Sequence, residues 1–175
     1  MNEASMEIVS SSEYSITKKR ILYIVIKRTF DLIMSLLSLV LLCPLFIVIM
    51  VLIRLDSKGK AIYKHKRIGK DGKYIYLYKF RTMYIDADKR LEELLKDPNV
   101  KKEWEENYKL GNDPRITKIG KVLRSTSLDE LPQLINILFN DMSFVGPRPL
   151  VDGEIDKYGI NKNKLLSVLP GLTGW

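Results

Sequence analysis

Asp129 and Glu130 are neighbours in the segment Leu123-Arg124-Ser125-Thr126-Ser127-Leu128-Asp129-Glu130-Leu131-Pro132-Gln133, and no other pair in the chain is as well set for chemistry. An ionised carboxylate can attack phosphorus once cations neutralise the anionic substrate. The cations available are Arg124, Arg148 within Gly146-Pro147-Arg148-Pro149, and Lys79 and Arg81 within Tyr78-Lys79-Phe80-Arg81-Thr82-Met83. Arginine suits phosphate because its planar fork bonds two oxygens at once. A second reading uses the same residues: Ser127-Leu128-Asp129-Glu130 matches the capping box S-x-x-E, in which two side chains satisfy backbone donors at a helix start. If Ser127 caps, Pro132 falls inside the helix and costs one hydrogen bond; if Asp129 caps, it sits harmlessly in the first turn. In both cases the carboxylates lie at the positive end of the helix dipole, which predicts a lowered pKa and an ionised acid. Each cation taken alone also reads as a surface charge.

Several other chemistries are excluded. No G-x-x-x-x-G-K loop is present, which disfavours a nucleoside triphosphatase. His65 is the only histidine and Cys43 the only cysteine, so Cys/His metal clusters are out and a Ser-His-Asp triad has only His65 to draw on. Any metal would be a hard cation held by oxygens.

The elements that position these groups begin with an apolar segment. Leu32 to Ile53 are 22 residues without a charge, with Pro44 near their middle. A helix of that length rises roughly 33 Å, enough for a hydrocarbon core of about 30 Å. The proline removes a backbone bond and predicts a bend at Cys43-Pro44. Both flanks are basic: Lys18, Lys19, Arg20, Lys27 and Arg28 precede the segment, and Arg54, Lys58, Lys60, Lys64, Lys66 and Arg67 follow it. Each end therefore prefers the cytoplasmic side, which favours a re-entrant hairpin over a span. Ser15 to Arg28 reads as an interfacial helix and residues 1–14 as a disordered N-terminus. A cleaved signal peptide does not fit, because Arg54-Leu55-Asp56 follows the segment in place of a small-residue site.

The chain of 175 residues carries a formal charge of +8, and residues 54–82 hold ten Lys/Arg against Asp56 and Asp71. Basic character placed where the apolar segment ends suggests anionic headgroups or phosphorylated substrates and not nucleic acid. Ala61 to Gly69 and Tyr74 to Thr82 read as a β-hairpin turned at Asp71-Gly72. Asp86 to Tyr108 reads as helix interrupted at Asp97-Pro98; Ile116 to Leu123 as a short amphipathic helix; Ser127 to Phe139 as another, ended by Asn140-Asp141. The fold class expected is α+β: a re-entrant broken membrane helix (15–54) and a mainly helical cytosolic domain with a small hairpin (55–175).

Five strings occur in fixed order: Tyr78-Lys79-Phe80-Arg81-Thr82-Met83; Asp113-Pro114-Arg115-Ile116-Thr117; Leu123-Arg124 with Ser127 to Gln133; Asp141-Met142-Ser143-Phe144-Val145-Gly146-Pro147-Arg148-Pro149; and Pro170-Gly171-Leu172-Thr173-Gly174. Together they resemble the monotopic phosphoglycosyl transferases, also called bacterial sugar transferases, from about Lys27 to the last residue. The resemblance implies transfer of a sugar 1-phosphate from a UDP-sugar to undecaprenyl phosphate at the cytoplasmic face of the bacterial inner membrane, starting a glycan on its lipid carrier. It implies Asp129 as nucleophile through a phosphosugar-aspartyl intermediate, Glu130 as acid/base, Mg2+ at the Asp129 carboxylate, and Arg124 and Arg148 on phosphate groups. Two departures stand out. The family's bend carries Ser-Pro where this chain has Cys43-Pro44, and family members continue past Pro-Gly-Leu-Thr-Gly, whereas this chain stops at Trp175. A truncated or non-catalytic member that binds nucleotide sugar is thus the alternative within the family; a single-span anchor with a basic interaction domain is the alternative outside it. The sugar, the pathway and a homo-oligomeric state stay open.

Overall fold

The computed structural model of the chain describes residues 3–107 and 109–174, the side chains of residues 3–19 and 107 excepted. The disordered stretch expected over residues 1–14 falls outside the residues described with side chains. Helix and strand are mixed, as expected, and one long apolar helix dominates: α1 runs Glu3–Asp56. From Arg20 to Asp56 it is long and apolar enough to cross a membrane by length and composition.

One stripe of α1 is packed and the rest is bare. Leu39, Leu42, Leu45, Phe46, Ile49, Met50 and Ile53 recur at helical spacing and face the other elements. Leu36, Leu37, Val40, Leu41, Ile47, Val48 and Val51 lie exposed on the remaining faces. Pro44 sits inside α1, and residues on both sides of it belong to the one helix. Leu42 and Phe46, on either side of the proline, pack half-buried against the two halves of the core, and Cys43 and Pro44 are exposed.

The hairpin forms as its turn chemistry dictates. Strands β1 (Ile62–Ile68) and β2 (Tyr74–Phe80) pair antiparallel with Ile62 opposite Phe80 and Ile68 opposite Tyr74. The tight turn needs positive φ, which Asp71 (56°) and Gly72 (73°) supply. Helices α2 (Ala87–Leu94) and α3 (Pro98–Asn107) follow, separated at Asp97-Pro98 as expected. Helix α4 (Lys118–Ser125) starts at Thr117, whose hydroxyl accepts from Gly120 N. Gly120 is required there by close approach, since a Cβ would stand 2.0 Å from Thr82 O.

Beyond α4, the single helix expected from Ser127 to Phe139 divides. A 3-10 turn covers Leu128–Glu130 and α5 covers only Gln133–Leu138. Strand β3 (Ser143–Val145) pairs parallel with β4 (Gly171–Thr173), with helix α6 (Lys162–Leu166) between them in the chain. Gly146 and Gly171 touch so closely that a Cβ on Gly171 would lie 2.2 Å from Gly146 N. The Pro-Gly-Leu-Thr-Gly string thus seats against the start of the Gly-Pro-Arg-Pro loop, with Gly171 N donating to Pro147 O at 2.8 Å.

The core has two halves. One joins Ile49 and Ile53 of α1 to Ala61, Phe80 and Leu123; the other joins Leu77, Leu134, Ile137 and Met142. Polar contacts fix both ends of the apolar segment of α1 to the same body. Near its start, buried Asp31 accepts from Ser143 Oγ (2.7 Å) and Phe144 N (3.2 Å), Lys27 reaches both Asp31 and Ser143, and Arg28 donates to Ile137 O and Leu138 O at the end of α5. At its other end, Asp56 Oδ2 accepts from Ile119 N (2.9 Å) at the start of α4.

Candidate active site

The turn that carries Asp129 and Glu130 is held by its apolar neighbours. Leu128 and Leu131 pack on the first half of the core and Leu134 is buried in the second, so both carboxylates ride on a short loop pinned on either side. The reversal out of α4 uses Ser127 at φ 56°, a left-handed conformation that costs a non-glycine residue about 1 kcal/mol or more. Its side chain makes no capping bond. The capping-box expectation is therefore corrected: the local S-x-x-E signal gives way to burial of the leucines, and Pro132 stands just ahead of α5.

The two acids have different partners. Glu130 Oε1 lies 2.5 Å from Lys79 Nζ on β2. Among the described residues no such bond holds Asp129. Burial pushes its pKa above the ordinary carboxylate value, Lys79 and Arg124 pull it down, and the Glu130 charge pushes it up. The dipole-based expectation of a lowered pKa is thus also corrected, because desolvation outweighs the pull of the cations.

Second-element contacts set the register of this site. Asn136 is fully buried in α5 and pins β2: its Oδ1 accepts from Tyr78 N (3.0 Å) and its Nδ2 donates to Tyr76 O (2.8 Å). Lys79 is the next residue on that strand. Arg124 is steered by Thr82, whose Oγ1 accepts from its Nε at 2.9 Å, leaving the two terminal nitrogens uncommitted among the described residues. Arg148 is exposed at the end of β3 and lines a cavity of about 160 Å³ with Leu150, Glu154, Lys157 and Tyr158.

Of the cations expected at the site, the charges of Lys79 and Arg124 act on Asp129, while that of Arg148 acts on Arg67. Arg81 is held elsewhere: its guanidinium donates to Ser57 O, Ser57 Oγ and Lys58 O just past α1, where it ties down the helix end. Cys43 and Pro44 stand on the bare side of α1. Three residues near the acids were missed by sequence reasoning: Asn136, Thr82 and Arg67. Arg67 of β1 lies near Arg148 and Glu130, its Nη2 is 3.4 Å from His65 Nδ1, and its Nη1 is buried without a partner. A lone Asn in an apolar helix was the one available signal among these, since such a residue is kept only where both ends of its amide are bonded.

Among the described residues no cluster of three or more His, Cys, Asp or Glu forms a metal cage. That donor set still suits Mg2+, which binds through one or two carboxylates and completes its shell with water and substrate phosphate. Asp129, half-buried and free of a cationic partner bond, is the oxygen donor that fits.

The model of the bacterial sugar transferase family matches residues 22–175. The chain is 47% identical over 150 residues to the undecaprenyl-phosphate galactose phosphotransferase of Salmonella typhimurium, covering 85% of this chain and 31% of that protein. It is 41% identical over 154 residues to the UDP-glucose:undecaprenyl-phosphate glucose-1-phosphate transferase of Klebsiella pneumoniae, covering 86% of this chain and 30% of that protein. To the putative undecaprenyl-phosphate N-acetylgalactosaminyl 1-phosphate transferase of Bacillus subtilis it is 40% identical over 136 residues, covering 78% of this chain and 68% of that protein. The chain thus spans about a third of the first two relatives and two thirds of the third. On the family match and these identities, the chain belongs to the bacterial sugar transferase family.

Proposed function

We propose that this chain transfers a sugar 1-phosphate from a UDP-sugar to undecaprenyl phosphate, with Asp129 as the covalent nucleophile. The observation that carries this reading is the inequality of the two acids: Glu130 is bonded to Lys79, while Asp129 is half-buried, without a bonded cation, and raised in pKa. A carboxylate poorly solvated and incompletely neutralised is a stronger nucleophile than one in water.

In the first step a carboxylate oxygen of Asp129 bonds to the β-phosphorus of the donor, the bond from that phosphorus to the bridging oxygen breaks, and UMP leaves with the electron pair. In the second, a phosphate oxygen of the lipid attacks the same phosphorus and releases the Asp129 carboxylate. Arg124 and Arg148 hold phosphate oxygens, Lys79 keeps Glu130 oriented, and Glu130 handles protons at the leaving or entering oxygen. Asp129 would hold Mg2+, which would supply charge neutralisation for the diphosphate. The relatives' names cover galactose, glucose and N-acetylgalactosamine, so the sugar is left as a UDP-hexose.

The same reading seats the chain on one membrane face. Lys27, Arg28 and Asp31 at one end of the apolar segment and Asp56 at the other bond the same domain, and a span would set these ends on opposite sides. With basic flanks at both ends, that face is the cytoplasmic one, and α1 presents its bare apolar faces to the inner-membrane lipid in a re-entrant, monotopic arrangement. The test is UMP release from UDP-glucose, UDP-galactose and UDP-N-acetylhexosamines by the protein in native membranes with Mg2+ and undecaprenyl phosphate. Release is expected from wild type and a loss of about 10⁴-fold from Asp129→Asn. Equal release by the variant would end the proposal, as would silence of wild type with every donor.

A further inference from the structure

We infer that Arg67 and Arg148 form a two-guanidinium clamp for a phosphate group, a role for Arg67 that rests on the transferase reading for the identity of the phosphate. The two neighbouring cations at the end of β1 show why Arg67 is unusual. Lys66 has a carboxylate within reach, Asp152 at 3.8 Å, and sits 3.5 Å over the Tyr74 ring. Among the described residues, half-buried Arg67 has no carboxylate within ion-pair distance and keeps one guanidinium nitrogen, Nη1, out of water with no acceptor. Its other terminal nitrogen meets only His65 Nδ1, at 3.4 Å.

A buried N–H without an acceptor is costly, and a like charge nearby adds to that cost. Both are present here. Burial first, then Arg148, push the Arg67 guanidinium below its ordinary pKa, with Glu154, Tyr63 and Glu130 pulling the other way. The arrangement is not a loose surface accident. Ile68 N donates to Leu150 O at 2.8 Å, so the end of β1 is stitched to the chain just after Pro147-Arg148-Pro149. Arg148 in turn lines the 160 Å³ cavity beside this seam. A phosphate bridging the two guanidinium groups would satisfy the orphan N–H and cancel the repulsion at once, as a paired fork does. The charge of Glu130 also reaches Arg67, which ties the clamp to the acidic turn proposed to react.

That phosphate is either the nucleotide diphosphate of the donor or the monoester of the lipid acceptor, and the experiment separates them. Full-length protein in nanodiscs, as wild type, Arg67→Met and Arg67→Lys, is titrated with UDP, uridine and undecaprenyl phosphate, and its melting temperature is recorded without ligand. Arg67→Met is expected to melt no lower than wild type, since it removes an unsatisfied charge, while losing on the order of 10- to 100-fold in affinity for one of the two phosphates and keeping its uridine affinity. Arg67→Lys is expected to recover part of the loss. Loss toward UDP assigns the donor; loss toward undecaprenyl phosphate assigns the acceptor. Affinities for both phosphates within two-fold of wild type, or an equal loss for uridine, would overturn the clamp, whatever the melting temperature does. The transferase reading fails separately: a wild type that binds phosphate through Arg67 and never releases UMP keeps the clamp and loses the reaction, and a wild type that releases UMP unchanged in Arg67→Met does the reverse.

Discussion

Asp113 and Asp129 both stand in short polar motifs beside basic residues, and the fold treats them in opposite ways. Asp113 is buried with Arg115, which donates from Nε at 2.8 Å and from Nη2 at 2.7 Å in a bidentate pair, and the guanidinium lies over the Trp104 ring. Burial works to raise the Asp113 pKa, but the bonds and charge of Arg115 prevail and hold it below the ordinary value. Around Asp129 the same terms come out the other way: burial prevails over Lys79 and Arg124. A closed ion pair has no bonding capacity left for a substrate. An open carboxylate does, and this difference is the ground on which we propose Asp129, and not Asp113, as the reacting group.

Breaking the closed pair should give the largest effect on stability. Asp113→Asn leaves Arg115 buried without its counter-charge, which costs about 3–5 kcal/mol, or roughly 6–20 °C in melting temperature for a domain of this size. Thermal unfolding of the detergent-solubilised protein measures it. A change under a few degrees would mean that the pair is dispensable and the contrast drawn here is false. The pair also dictates a pH response. A carboxyl with a lowered folded pKa stabilises the fold above its unfolded pKa and loses that contribution as pH falls through the folded value, so Asp113→Asn should flatten the acid side of the stability curve.

Disturbing the open carboxylate should act on rate first. Lys79 lowers the Asp129 pKa, so Lys79→Met lifts it further. The reactive form is the carboxylate, so the acid limb of UMP release against pH should move upward, with activity lost on the acid side of the profile and the plateau above it kept. An unmoved limb would separate Lys79 from Asp129.

The smallest effect has the most telling sign. A carboxyl with a raised folded pKa favours the fold below its unfolded pKa and progressively less as pH rises through the folded value, so at neutral pH the ionised Asp129 works against stability. Asp129→Asn should therefore melt about 1–3 °C above wild type at pH 7.5 while losing activity. Equal melting at pH 4 and a gap at pH 7.5 would sharpen the assignment; a lower melting temperature at both would make Asp129 a structural residue like Asp113.

Much of this fold is legible in the chain, and the parts that are not share a cause. The hairpin follows from Asp71-Gly72, the division of α2 from α3 from Asp97-Pro98, and the end of α5 from Asn140 at φ 66°. These are local signals with local causes. What escaped depends on contacts between distant segments. Strands β3 and β4 hold three residues each and meet only because Gly146 and Gly171 allow their backbones to touch. The capping box at Ser127 is a valid local motif overruled by Leu128 and Leu131. Asp129 and Glu130 are visible as a pair, but which of them Lys79 takes is decided by Asn136 setting β2 against α5. Arg67 is one basic residue among ten in its stretch, and what sets it apart is a buried terminal guanidinium nitrogen without an acceptor, a feature of the packed fold and not of the local sequence.

The central claim is that Asp129 carries the phosphosugar during turnover. The most direct measurement is intact and peptide mass spectrometry of wild-type protein quenched after mixing with a UDP-sugar and Mg2+ in the absence of undecaprenyl phosphate. The account predicts a sugar-phosphate adduct on the peptide that contains Asp129, lost when undecaprenyl phosphate is added before the quench. UMP release without any adduct, or an adduct on a different residue, would contradict it.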